Sequence, residues 1–216
     1  AAYKWFRDTL AVEEREMASR LGLDTYAILN AAAESAPPGC GGTILLPTLA
    51  GSGAPHWDPS VRGVVLGLSL TTDKKTLARA VLEGVCFEIR WMLEAVKGLG
   101  MKLDRLHVYG GAAKSRLWNQ IGADIYGLPI SRPEVEEGGL VGAAICAGVG
   151  IGLFKDATEG AESMIRIRES YQPNPKLRAM YDEMFEIYKD AYLALSNAGI
   201  FRRLASVGQD TIAPTL

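Results

Sequence analysis

The chain has 216 residues, 48% of them apolar, with 25 acidic and 23 basic side chains and a formal net charge of −2. That length and apolar content suffice for a sizeable core, in one large domain or one domain with an appendage. Charges of both signs are mixed along the chain, without the Lys/Arg cluster of a nucleic-acid footprint and without the basic-then-apolar N-terminus of a secretory signal.

The first forty residues read as helices: Tyr3–Leu10, Glu13–Leu21, and a third that Asp24 caps and that runs to about Glu34. Pro37, Pro38, Gly39, Gly41 and Gly42 then break the chain. Ile44–Leu46 is a short buried strand, the Gly- and Pro-rich stretch Pro47–Arg62 a loop, and Gly63–Ser69 a second strand. Thr72 or Asp73 caps the longest helix, whose Leu77, Val81, Val85, Ile89, Met92 and Val96 trace one face at spacings of three and four. Gly98 and Gly100 end it.

A third strand, Leu106–Tyr109, empties into Gly110-Gly111-Ala112-Ala113-Lys114-Ser115 and then a helix carrying Leu117, Ile121, Ala123, Ile125 and Tyr126, with Ser115 as its expected N-cap. A strand that passes through two glycines into a helix leaves backbone N–H groups free to hold a nucleotide against the main chain. On spacing alone, a plain strand-to-helix turn explains the glycines equally well. The loop is neither a Walker A sequence nor a dinucleotide fingerprint.

After a short strand near Leu128–Ser131 comes a helix of small and apolar residues. Gly139, Ala143 and Ala147, and again Gly142, Cys146 and Gly150, recur at i, i+4 spacing. Its apolar run to Phe154 is too short for a membrane span, which needs roughly 18–20 residues, so a buried helix and no membrane association are expected. Ala157–Ile167 reads as a further helix. Leu177–Leu195 reads as the last, with a packing stripe of Tyr181, Phe185, Tyr188 and Tyr192, and a flexible tail is expected over 198–216. Strands alternating with helices indicate an α/β fold.

Several polar residues invite chemistry and also have plainer explanations. Cys40, Cys86 and Cys146 are odd in number and widely spaced, as suits buried free thiols in a reducing, cytoplasmic compartment. With only His56 and His107, no zinc-type motif can be assembled, and no metal site is expected in the chain. His56 and Asp58 read as local hydrogen bonding in a turn, and Asp58 pairs on paper with Arg62. Glu136 and Glu137 read as acids complementing a helix N-terminus. Lys114 is as well placed to face water as phosphate, and Trp5, Trp57, Trp91 and Trp118 read as packing residues.

Several motifs together resemble the FGGY carbohydrate kinases. Gly63-Val64-Val65-Leu66-Gly67-Leu68, a spacer, and Thr76-Leu77-Ala78-Arg79-Ala80-Val81-Leu82-Glu83 resemble that family's second signature, departing from it at Thr76. Gly110–Ser115 with Leu117-Trp118-Asn119-Gln120-Ile121 and Ala123-Asp124 looks like its adenosine loop. Glu137–Gly152 resembles the helix that follows that loop; the loop itself and Tyr171-Gln172-Pro173-Asn174-Pro175 look xylulokinase-like, whereas Gly51–Pro59 is similar to a glycerol-kinase segment.

The resemblance implies an actin-like, ribonuclease H-like ATPase lobe, a mixed sheet flanked by helices, over residues 1–197, with part of the lobe preceding Ala1. It implies ATP and Mg2+ as cofactors and a sugar or polyol substrate, a ketopentose such as xylulose or a related polyol. Gly110, Gly111 and Ala112 would lie under adenosine, Ser115 would offer a polar contact, and Lys4 would reach a phosphate unless it is an ordinary surface lysine. No catalytic residue is expected here, because the family's Asp base lies on an N-terminal lobe missing from this chain, which alone should be inactive. The alternative is a non-catalytic scaffold or regulatory module that kept the lobe's fold, its cleft surface covered by a partner or by a homodimer.

Overall fold

The computed structural model of the chain describes residues 1–210, with side chains described as far as Val207. They form two compact units, one made of Ala1–Lys102 and the chain from Pro175 onward, the other of Leu103–Asn174.

The first unit opens with three short helices, α1 (Ala2–Thr9), α2 (Val12–Leu21) and α3 (Thr25–Glu34). Asp24 caps α3 as its sequence suggests, accepting from the Tyr26 N–H. The glycine-rich break is a 3-10 turn over Pro38–Gly42, in which Gly39, Cys40 and Gly41 all take positive φ. Strands β1 (Ile44–Leu46) and β2 (Val64–Leu66) pair antiparallel, Leu45 opposite Val65. The long helix α4 (Lys74–Gly98) starts at Asp73, whose carboxylate accepts from the Thr76 N–H.

The buried face of α4 differs from the one the apolar spacing traces. Leu77, Val85 and Ile89 are half-buried, whereas Arg79, Glu83 and Arg90 are buried beside Val81, Leu82 and Phe87. Burying charge is unfavourable unless it is paired and hydrogen-bonded. Here the pairing is dense. One Glu83 oxygen, Oε1, accepts from Arg79 Nε at 2.7 Å, from the Tyr181 hydroxyl at 2.8 Å and from the Gly39 N–H at 3.2 Å. Its other oxygen accepts from the Cys40 thiol at 3.5 Å, and burial together with the adjacent carboxylate pushes that thiol's pKa up.

Tyr181 belongs to α8 (Arg178–Asn197), whose aromatic stripe is buried as the sequence predicts: Tyr181, Phe185, Tyr188 and Tyr192 are each 2% exposed or less. Phe87 of α4 meets three of these rings, with centroids 5.6–6.2 Å away. Arg90 donates to Asp182 at 2.6 Å and lies over the Phe185 ring. The expected flexible tail instead contains a helix, α9 (Ile200–Asp210), held by Phe201, which is 1% exposed and packs on Tyr192. Residues 211–216 of that expectation lie outside the described residues.

In the loop before β2, the His56 ring lies 4.2 Å from the Trp91 ring and 4.6 Å from the Tyr192 ring. Its Nε2 is buried without a hydrogen-bond partner. Asp58 accepts locally from Ser60, at 2.8 Å from its N–H and 2.6 Å from its hydroxyl. Arg62 does not pair with Asp58; its guanidinium donates to the Pro59 and Val61 carbonyls. Trp57, expected to pack, is 76% exposed, and Trp5 stands at 36%.

The second unit holds β3 (Leu106–His107), α5 (Arg116–Tyr126), β4 (Ile130–Pro133), α6 (Gly138–Gly150), α7 (Ala157–Met164) and β5 (Ile167–Tyr171). Its sheet is mixed, in the order β3-β4-β5, with β3 parallel and β5 antiparallel to β4. The residues read as the end of a helix reaching Ile167 lie outside it: α7 stops at Met164, and Ile167 begins an edge strand. Its pattern escapes a periodicity reading because only Tyr171 of that strand is buried. The small-residue helix α6 is not buried as expected. Val141, Ile145 and Gly148 face inward while Leu140, Ala143, Ala144 and Ala147 are exposed. Cys146 is exposed with them, unlike the buried Cys40 and Cys86. No helix among the described residues is long and apolar enough to cross a membrane.

Two predictions follow from the packing of the first unit. Glu83→Ala leaves Arg79 and the Gly39 N–H without their acceptor, and should lower unfolding stability by about 3–5 kcal/mol in a denaturant titration. Burial pushes the His56 pKa below 6.5, with Glu88 opposing more weakly. The unfolded chain therefore protonates first as pH falls, so this residue's contribution is lost on acidification below about pH 6.5. The denaturant midpoint should fall more steeply between about pH 7 and pH 5.5 in the parent chain than in His56→Phe, and equal slopes would remove His56 from the effect.

Candidate functional site

The glycine pair lies where β3 ends. Gly110 has φ 79° and ψ −168°, which L-residues rarely adopt, and the chain then makes a 3-10 turn over Gly111–Lys114. Ser115 closes the turn and caps α5, its hydroxyl oxygen accepting from the Trp118 N–H at 3.2 Å. Asn119, one helical turn on and 5% exposed, donates from Nδ2 to the Ala113 carbonyl at 2.8 Å. The loop is thus pinned from below by its own helix.

Its upper surface is bare. A Cβ placed on Gly110 or on Gly111 would meet no atom within 4 Å. Gly110, Gly111 and Ala112 are exposed, and the apolar side chain of Ala113 turns inward. The main chain at Gly110–Ala112 is thus open to solvent, with nothing standing where a Cβ on either glycine would lie.

The opposite border comes from the start of α6. The Gly110 N–H donates to the Glu136 main-chain oxygen at 3.2 Å. Gly138 lies against Tyr109, so that a Cβ on it would come within 2.6–2.9 Å of three ring atoms. Lys114 does not extend freely into solvent: its Nζ is 2.8 Å from Glu136 Oε2. Arg132 approaches the other oxygen, Oε1, at 3.4 Å and also stands 3.8 Å from Glu169, which accepts from the Tyr171 hydroxyl. Lys114 first, and then Arg132, hold the Glu136 carboxyl below the usual carboxylate range. Glu136 is therefore an ion-pair partner that directly precedes Glu137, the N-cap of α6, which makes no side-chain cap bond.

Gly110, Gly111, Ala112 and Ser115 are brought together in one loop of the second unit, while Lys4 is an exposed residue of α1 in the first unit. Sequence reasoning places Asn119 in the loop's motif without its bond to the Ala113 carbonyl, and does not pair Lys114 with Glu136. The i, i+4 spacing of Ser115 and Asn119 was a usable signal for the first. Nothing local signals a pair 22 positions apart. Among the described residues, no group of three or more His, Cys, Asp or Glu side chains could hold a metal ion.

Residues 1–151 match the model of the FGGY family of carbohydrate kinases, C-terminal domain. The chain is 36% identical over 165 residues to the xylulose kinase of Staphylococcus epidermidis, covering 76% of this chain and 33% of that protein. It is 34% identical over 206 residues to the autoinducer-2 kinase of an Enterobacter species, covering 91% and 38%. Among solved structures, ligand-bound xylulose kinase from Lactobacillus acidophilus superposes with a TM-score of 0.79 at 29% identity, over 90% of this chain and 38% of that one. The chain thus spans about a third of the length of the relatives it matches. The fold is the actin-like, ribonuclease H-like one implied by the motifs, with the mixed sheet flanked by helices.

Proposed function

Because the chain belongs to the FGGY family of carbohydrate kinases, we propose that it is the ATP-binding half of an enzyme that moves the γ-phosphoryl group of Mg-ATP onto a sugar hydroxyl. The observation that carries this reading is the bare main-chain surface at Gly110 and Gly111, set between a strand end and a helix start. Adenosine would lie on Gly110, Gly111 and Ala112. Ser115 would contribute a polar contact through its hydroxyl hydrogen, since its oxygen already caps α5. Lys4 would serve a phosphate.

Phosphoryl transfer is driven mainly by positioning and by neutralising charge on the transferring group. The residues of this chain supply binding and orientation of the nucleotide. The acceptor's proton would go to an Asp on a second lobe, which would also make most sugar contacts. Magnesium carried by ATP would neutralise phosphate charge, held chiefly by the phosphates and water. The similarity to xylulose kinases supports a ketopentose or related polyol as acceptor, and the likeness to an autoinducer-2 kinase keeps the acceptor class as wide as that.

One observation favours a second reading, that of a non-catalytic scaffold. α6 and the turn after it leave Leu140, Ile151 and Leu153 exposed at 67–81%. A partner or a second copy would cover such a surface.

Two outcomes test the proposal. The 216-residue chain incubated with ATP and xylulose should yield no phosphorylated sugar by coupled assay, and turnover would overturn the division of labour between lobes. Titration calorimetry should find weak binding of adenine nucleotide, reduced about tenfold or more by Gly111→Val, whose branched side chain would stand where the ring rests. An unchanged affinity would remove the loop from the site.

A further inference from the structure

A loop with two adjacent glycines is entropically expensive to hold in one conformation. A floor for a rigid ring must nevertheless be fixed before the ligand arrives if binding is not to bear that ordering cost. One residue outside the loop touches both of its ends. The Glu136 main-chain oxygen accepts from the Gly110 N–H at the entrance. Its carboxylate Oε2 holds the Lys114 ammonium at the exit, 2.8 Å away. The carboxylate is itself steadied at Oε1 by Arg132, whose side chain is 12% exposed on β4.

We propose that Lys114 and Glu136 are a positioning pair that fixes the glycine loop for the nucleotide, with Lys114 acting on Glu136 and not on the ligand's phosphates. This rests on the adenosine reading above and adds to it a residue from the far side of the loop. A lysine that contacts phosphate raises affinity for ATP and leaves adenosine unaffected. A lysine that fixes the floor acts on both ligands alike. The pairing also makes the two residues one functional unit, so removing either member should forfeit the same contribution.

The test is a double-mutant cycle in the 216-residue chain, with Lys114→Met, Glu136→Gln and the double variant, titrated with adenosine and with ATP. Each single variant should weaken both ligands by about three- to fivefold, and the double variant should be no weaker than either. Hydrogen exchange of the peptide spanning 108–116 should quicken in all three variants without ligand, while the thermal midpoint stays close to that of the parent. Losses confined to ATP, or losses that add in the double variant, would overturn the proposal in favour of direct phosphate contact. Unchanged exchange, or unchanged affinities in a parent chain that binds, would overturn it alone. A parent chain that binds neither ligand would sink the adenosine reading, and this inference with it.

Discussion

The first unit depends on one carboxylate placed where a carboxylate is costly. Glu83 is 1% exposed and accepts from a guanidinium, a phenol, a thiol and a main-chain N–H. These donors come from α4 itself, from α8 and from the Pro38–Gly42 turn, so a single charge fixes the mutual position of three elements. Apolar packing alone tolerates sliding, whereas a buried ion with four directional partners does not. The left-handed backbone of Gly39, Cys40 and Gly41 makes sense in that light, because it delivers both an N–H and a thiol to the same carboxylate.

The second unit differs, leaving main chain open at Gly110 and Gly111. Side chains that could cover Gly110 and Gly111 are absent or directed elsewhere. Ala113 points inward, Ser115 is engaged in capping, and Lys114 is drawn aside by Glu136. Rigidity comes from beneath through Asn119 and from the border through Glu136 and the close seating of Gly138 on Tyr109. The exposed main chain is therefore a supported surface and not a slack loop.

Much of this was legible in the sequence. Caps at Asp24, Asp73 and Ser115 stand where side-chain chemistry puts them, and the aromatic spacing of α8 gives its buried face directly. The glycine loop and its family likeness could be read from local motif order. Failures share a physical origin in tertiary partners that a local pattern does not contain. The apolar stripe of α4 pointed past Arg79, Glu83 and Arg90 because charges count as surface until their partners are known. α6, composed wholly of apolar and small residues, reads as a core helix although most of its circumference is exposed. β5 escaped notice because an edge strand with one buried residue has no alternation to detect.

The order of the chain bears on how the molecule is made. The Tyr181–Glu83 bond joins residues 98 positions apart, with the whole of the second unit threaded between them. During translation at about 5–20 residues per second, α4 would emerge from the ribosome roughly 5–20 s before the helix that shields its aromatic and charged face. Nascent chains therefore pass through an interval in which Phe87 is in water and Glu83 has its donors from Arg79 and the Pro38–Gly42 turn but lacks the Tyr181 hydroxyl. That interval is the window for capture by a chaperone or for misassociation, and a stall between the codons for Leu103 and Pro175 would lengthen it.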